Sequence, residues 1–240
     1  MDLFTDGLRK EQLSTFGSGI GLFIISLIGM IVGSVLFFSL ELSFSSYIEL
    51  VFQILLVQGI GFFVVSIGYI HLFTSGFSWL KFESKYPRDI VYIISGTGLF
   101  LLMSGLVYIS SNFLNIELAK NSIEPILQSS NLSVYVFVLL SLLVVGPLEE
   151  LFFRGVLQQH FKKSFTTKMS VIIASFLFSI MHLTSMIGRT GILGYSGYLL
   201  LLFFGGVLLG ISYEKTDNLL VPMVIHGVYN SLVALPVIFY

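Results

Sequence analysis

The sequence predicts an all-α fold, a polytopic bundle of about seven transmembrane helices, on three observations. Of its 240 residues, 55% are hydrophobic and only 10% are charged, whereas soluble domains carry about 25% charged residues. The mean hydropathy is +0.96. Several uncharged apolar runs reach the ~20 residues that a helix needs to cross a bilayer. Helices are favoured because the hydrocarbon core leaves backbone groups no other hydrogen-bond partners.

The apolar runs predict seven spans, and a split of one long segment would give an eighth. Away from the predicted span ends, carboxylates and an arginine occur in the fourth span, and single histidines occur in the fifth and the seventh. The predicted ranges are 18–40, 47–73, 89–113, 132–160, 168–186, 193–213 and 218–238. They divide the chain into an N-terminal part without a recognised motif, residues 1–131, and a second part, residues 132–240.

The distribution of lysine and arginine predicts the orientation. Connections on the cytoplasmic side carry an excess of basic residues. One side has ten such residues: Arg9, Lys10, Lys81, Lys85, Arg88, Arg154, Lys162, Lys163, Lys168 and Lys215. The other side has only Lys120 and Arg189. We therefore expect an integral protein of the plasma membrane with a cytoplasmic N-terminus and an external C-terminus, in contact with membrane lipid.

The composition also excludes several classes of function. The chain has no cysteine, which excludes disulfides, thiolate metal sites and a cysteine nucleophile. Its net charge of -1 gives no basis for binding nucleic acid. The sequence does not define an oligomeric state. Two glycine pairs, Gly29 with Gly33 and Gly206 with Gly210, predict close helix packing.

A few polar residues lie inside the spans and are the candidate functional residues. They are Glu149, Glu150 and Arg154 in the fourth span, His182 in the fifth, and His226 and Asn230 in the seventh. An ionisable group at the middle of a span costs about 2.5–3.5 kcal/mol on insertion scales, so it usually pairs or has a function.

Helical spacing predicts how these groups are arranged. Glu150 and Arg154, four residues apart, can form an ion pair, which could be purely structural. Glu149 projects about 100° away from Glu150 and has no partner on its own helix. At 1.5 Å per residue, Glu149, His182 and His226 fall at depths of about 16, 21 and 12 Å. We therefore expect one buried site in the cytoplasmic half of the bundle, open to the cytoplasm.

Three short motifs carry a resemblance to a known family. They are EELFFR (149–154), FLFSIMH (176–182) and HGVYN (226–230), which correspond to EExxxR, FxxxH and HxxxN. Their order on successive spans resembles the CPBP family of CAAX proteases and bacteriocin-processing Abi proteins, which includes the Rce1 type. The resemblance covers about residues 141–235 and makes the second part, 132–240, the catalytic core.

The resemblance implies an intramembrane endopeptidase and a role for each residue. Glu149 resembles the glutamate that activates water, with His182 as its partner. His226 and Asn230 resemble the pair that stabilises the oxyanion. Glu150 and Arg154 resemble the pair that supports the site. The implied substrate is a prenylated CAAX-type protein, cut near its C-terminus, or a membrane-associated peptide precursor.

Several alternatives stay open at this point. Two histidines and a glutamate also resemble a zinc ligand set, so the protease could be of the metallo type, with zinc or another divalent metal, rather than the glutamate type. Intramembrane Glu, His and Arg also form proton relays, which would fit a proton-coupled transporter. A non-enzymatic scaffold or immunity protein of the same fold is the third alternative.

Overall fold

A computed structural model describes residues 2–40, 45–119, 122–186 and 191–239. Its described residues contain no β-strand, only an isolated antiparallel bridge between Phe82 and Asn218. Seven helices in this part of the chain are long and apolar enough to cross a membrane. We name them α1 (Arg9–Ser39), α2 (Ser46–Phe73), α3 (Arg88–Phe113), α4 (Asn131–Phe161), α5 (Thr167–Ser185), α6 (Ile192–Thr216) and α7 (Leu220–Ile238). The all-α prediction is confirmed, and no eighth span is found among the described residues.

The helices alternate in direction, which gives the bundle two ends. The N-terminal end carries Arg9 and the connections α2–α3, α4–α5 and α6–α7. The C-terminal end carries Ser39, Ile238 and the α3–α4 connection, which includes a short helix, Glu124–Ser129. Lys120 and Arg189, the two basic residues expected at this end, lie outside the described residues.

Six of the seven helices begin within two residues of their predicted starts, but α1 begins earlier than the predicted Ser18. Its polar first turns are held by contacts with the end of α4 and with the α4–α5 connection. Thr15 Oγ1 lies 2.7 Å from Ser164 Oγ, and Ser18 Oγ lies 3.0 Å from His160 Nε2. Hydropathy cannot detect such tertiary partners, which explains the difference.

Apolar side chains are distributed as a bilayer requires. The helices expose many large hydrophobic residues on their outer faces, for example Ile24 and Ile28 on α1. An aromatic core fills the N-terminal half of the bundle around α4 and includes Phe62, Phe153 and Phe178. This core is the rigid wall against which the polar residues of α4 lie.

Glycines allow the helices to approach closely, as predicted for the two pairs. A methyl group at Gly33 would lie 2.6 Å from the Leu56 carbonyl oxygen, and one at Gly206 would lie 3.0 Å from Ser175 Cβ. The sequence analysis missed a third contact, between Gly146 on α4 and Gly227 on α7. A methyl group at Gly227 would lie 2.8 Å from the Ser141 carbonyl oxygen. This contact brings the acidic residues of α4 next to the histidine of α7.

Candidate active site

Helix α4 is irregular where it carries the acidic residues. Its turns widen to a π-helix at Ser141–Val145 and again at Leu151–Gln158, on either side of the short α-helical segment Gly146–Glu150. Helix α2 has a third π-helical stretch, Gly59–Val64, directly after Gln58. Such π-bulges often occur at functional sites. Here, each changes the angular position of the side chains that follow it.

Glu150 lies at the centre of a buried polar cluster. Its Oε1 accepts a hydrogen bond from Arg154 Nη1 at 2.8 Å and another from His226 Nδ1 at 2.8 Å. Arg154 also donates from Nη2 to the Gly206 carbonyl at 3.0 Å. The side chains of Glu150 and Arg154 are 0% and 1% exposed. The predicted ion pair is therefore present, and it extends to α6 and α7.

Glu149 lies beside this cluster and lines a cavity. Its Oε1 accepts a hydrogen bond from Gln58 Nε2 at 2.9 Å. Its Oε2 is buried, has no hydrogen-bond partner among the described residues, and lies 3.9 Å from His226 Nε2. Gln58 was missed by the sequence analysis, because a single glutamine in α2 belongs to no motif.

His182 also lines the cavity. Its Nδ1 donates to the Phe178 carbonyl at 2.9 Å, so Nε2 is the acceptor atom of the neutral ring. The described part of the chain contains no hydrogen bond between His182 and Glu149. The imidazole found within 4 Å of Glu149 is that of His226. The implied partnership of Glu149 with His182 stays a prediction.

Phe178 holds three of the site side chains in place. Its ring stacks edge-on against His182 at 4.9 Å and against His226 at 5.7 Å between centroids. The Arg154 guanidinium carbon lies 4.7 Å from the same ring centroid, within the range of a cation–π contact. The first residue of the FxxxH motif therefore has a structural reason to be aromatic.

A cavity of about 1100 Å³ joins the predicted site residues. Glu149, His182, His226 and Asn230 all line it, and most of its other walls are apolar. The Asn230 side chain makes no hydrogen bond within the described ranges, so its amide is available to a bound molecule. Glu150 and Arg154 lie behind the cavity wall rather than on it. The structure thus brings the polar groups of three helices together.

The cavity opens at the opposite end from the one expected. Its lining extends from Glu149 past Ser185 to Phe38, Ser122 and Val237, all at or near the C-terminal end of the bundle. The expected opening on the side of the N-terminus is therefore wrong. The expectation used only distances along single helices, and it could not detect that the aromatic core closes the N-terminal end.

The site residues do not fit a zinc ion in this arrangement. Among the described residues, no group of three or more His, Asp and Glu side chains could hold a metal ion. The Nδ1 hydrogen bonds of His226 and His182 leave the Nε2 lone pair of each neutral ring available, so the positions of the side chains, and not the tautomers, are what fail to form a ligand set.

Comparison with known proteins identifies the segment that carries the site. Residues 131–232 match a family model described as Type II CAAX prenyl endopeptidase Rce1-like. No curated protein and no solved structure matches the chain. The matched segment runs from the start of α4 into α7 and contains all three motifs. Residues 131–232 are therefore similar to the Rce1-like family, which is consistent with the CPBP resemblance of the motifs, and this family implies an intramembrane protease.

Proposed function

We propose that the chain is an intramembrane endopeptidase in which Glu149 activates water for attack on a peptide bond. One observation carries this proposal. Glu149 Oε2 is buried, faces the cavity and has no hydrogen-bond partner in the described part of the chain, whereas Oε1 is held by Gln58. A carboxylate fixed through one oxygen and free at the other is suited to hold and deprotonate a water molecule. A positioned general base of this kind typically contributes about 10²–10⁴-fold in rate.

Oxyanion stabilisation is assigned to α7. Asn230 has an amide group free to donate, and His226 directs Nε2 towards the cavity. With protons on both nitrogens, His226 would donate from Nδ1 to Glu150 and from Nε2 to the substrate carbonyl oxygen. Removal of one such donor typically costs about 10²–10³-fold in turnover.

Glu150 and Arg154 would act by position rather than by contact with the substrate. Glu150 fixes the ring of His226 through Nδ1, and Arg154 balances the buried charge of Glu150. This arrangement would keep a donor pointed at the reacting carbonyl.

His182 would act through Nε2, the atom left free by the Phe178 carbonyl. In the neutral ring, this atom can accept a hydrogen bond from the attacking water or, later, a proton for delivery to the leaving amine. The resemblance implies the same partnership with Glu149. A substrate that fills the cavity would bring the water within reach of both side chains.

The proposed mechanism is of the glutamate type and requires no metal, because the site residues do not form a ligand set. The substrate is a peptide with apolar side chains near the scissile bond, since most of the cavity wall is apolar. A prenylated C-terminal tail and a membrane-associated peptide precursor both meet this description.

The test uses purified protein in detergent with apolar peptides, prenylated and unprenylated, and identifies products by mass. The wild type should cleave at a defined bond, and it should continue to do so after dialysis against a chelator. Glu149→Gln should not cleave, whereas Glu83→Gln, an exposed carboxylate that pairs with Lys85, should cleave normally. Equal cleavage by both variants would contradict the assignment, and loss of wild-type activity in chelator would favour the metallo type.

A further inference from the structure

The route from the active site to the exterior can be traced in the structure. Starting from Glu149 and His226, the cavity continues along the second half of α1, where Ile31, Val35 and Phe38 line it. On the facing side it is lined by Tyr108, near the end of α3. These four side chains are each more than half exposed. The cavity is therefore open in the C-terminal half of the bundle, between α1 and α3, on the lipid-facing surface.

The N-terminal end of the bundle is closed behind the site. Phe153, Leu157 and Phe161 are fully buried there, together with the Arg154 cluster. Gln158 hydrogen bonds to the Gly210 carbonyl at 3.3 Å and to Glu214 Oε1 at 2.8 Å, which joins α4 to α6. None of the cavity-lining residues belongs to the connections at this end.

The basic residues distinguish the two ends. Nine lysines and arginines lie at the N-terminal end when Arg154, which is buried within the bundle, is left out. They are Arg9, Lys10, Lys81, Lys85, Arg88, Lys162, Lys163, Lys168 and Lys215. Among the described residues, the connections at the C-terminal end carry the acidic Glu117 and Glu124 and no lysine or arginine, and the sequence analysis assigned only Lys120 and Arg189, which lie outside the described residues, to this end. The positive-inside rule then puts the closed end in the cytoplasm and the open end outside.

We propose that the active-site cavity opens to the extracytoplasmic half of the membrane and that its substrate is a membrane-associated peptide presented there. This inference rests on the proposed peptidase function and narrows its substrate. An apolar segment in the outer leaflet would enter between α1 and α3 and bring its peptide bond to Glu149. A prenylated tail on a cytoplasmic protein would meet the closed, basic end instead.

The absence of native cysteine allows a direct test of access. Three single-cysteine variants of the full chain would be exposed, in intact cells, to a membrane-impermeant maleimide. Ser78→Cys reports the N-terminal end, Ser129→Cys reports the C-terminal end, and Ser34→Cys reports the cavity wall. We expect labelling at Ser129→Cys and Ser34→Cys, and at Ser78→Cys only after the membrane is permeabilised.

The reverse pattern, with Ser78→Cys labelled in intact cells and Ser34→Cys protected, would overturn the inference. Should Ser34→Cys fail to accumulate, Ser104→Cys on the α3 wall of the cavity replaces it. This labelling does not depend on activity, so it tests the direction of access even if the proposed function fails.

A second arm tests the substrate. A membrane-impermeant apolar peptide is added to intact cells that express the wild type or Glu149→Gln. We expect at least tenfold more cleavage product from cells that express the wild type than from cells that express Glu149→Gln. Cleavage in detergent without cleavage by intact cells would contradict external access, whereas no cleavage in either setting would contradict the peptidase function itself.

Discussion

Gln58 donates from Nε2 to Glu149 Oε1 at 2.9 Å, and this hydrogen bond joins α2 to the acidic motif of α4. The bond holds Oε1, whereas Oε2 of the same carboxylate has no hydrogen-bond partner among the described residues. The helices without a motif therefore contribute to the site. The division of the chain at residues 131 and 132 stays a prediction about organisation, but the N-terminal part is more than a membrane anchor.

Gln58→Met should lower turnover without much change in KM. Loss of a hydrogen bond to a charged group costs about 1.5–3 kcal/mol, which corresponds to roughly 10–100-fold in rate. The effect should fall on kcat because Gln58 orients Glu149 and need not bind the peptide tightly. Steady-state kinetics of the purified variant would check this, with Gln128→Met at an exposed position as control. A rise in KM alone would contradict a positioning role.

Arg154→Met should strongly destabilise the protein. The substitution leaves the Glu150 charge buried without its guanidinium, and breaking a buried pair in this way typically costs about 3–5 kcal/mol. The thermal unfolding midpoint in detergent measures the loss. Lys85→Met, which breaks an exposed pair with Glu83, should cost less than about 1 kcal/mol.

The double variant Glu150→Gln with Arg154→Met provides a further check. Neutralising the carboxylate removes the uncompensated charge, so this variant should be more stable than Arg154→Met alone. If the double variant is less stable than the single one, charge balance is not what Arg154 contributes.

Gly227→Ala should separate α7 from α4 and reduce activity. The added methyl group would meet the Ser141 carbonyl oxygen at 2.8 Å, and backbone atoms cannot give way as a side chain can. A misplacement of about 1 Å at an active site can cost about 10²-fold in rate. Gly98→Ala, where a methyl group would meet nothing within 4 Å, is the matched control. Equal cleavage rates for the two variants would show that the close contact is not needed.

The ion pair between Lys81 and Asp217 predicts a pH dependence of stability. It joins the α2–α3 connection to the α6–α7 turn at 2.6 Å. The hydrogen bond from Lys81 lowers the pKa of Asp217, and the same bond raises the pKa of Lys81. The stabilisation from Asp217 is present above its ordinary pKa and is lost as the pH falls through the lowered value. The stabilisation from Lys81 is lost only as the pH rises through the raised pKa of Lys81.

Asp217→Asn is the variant that tests this pH dependence. Asparagine tolerates the left-handed backbone at this position, where φ is 52°. The wild type should be slightly more stable than the variant near neutral pH, and the difference should vanish in acid. Because both side chains are partly exposed, we expect a difference within about 1 kcal/mol. A difference that persists below the lowered pKa would contradict the ion-pair explanation.

Much of the fold could be predicted because hydropathy and charge act locally along the chain. The apolar runs define where each helix lies in the bilayer, and the three motifs indicate which helices meet. Gln58 could not be predicted, because its contact with Glu149 depends on how α2 packs against α4 in the tertiary structure. The same limit applies to Glu150 and His226, whose pairing depends on the close approach at Gly146 and Gly227.

The opening of the cavity illustrates a different limit. The sequence predicts the depth of each residue along its own helix. Such depths carry no information on which end of the bundle is closed by packed side chains. Closure of the N-terminal end depends on large side chains from several helices, among them Phe62, Phe153 and Tyr213. Their convergence is a property of the tertiary structure alone.

The most direct test of the account compares Glu149→Gln with Glu150→Gln, two neighbouring carboxylates to which it assigns different roles. Initial rates of peptide cleavage and thermal unfolding midpoints would be measured on both purified variants. Glu149→Gln should lose about 10²–10⁴-fold in rate with a nearly unchanged midpoint, whereas Glu150→Gln should lose stability as well as rate. Wild-type cleavage by Glu149→Gln would contradict the central claim that this carboxylate activates the water.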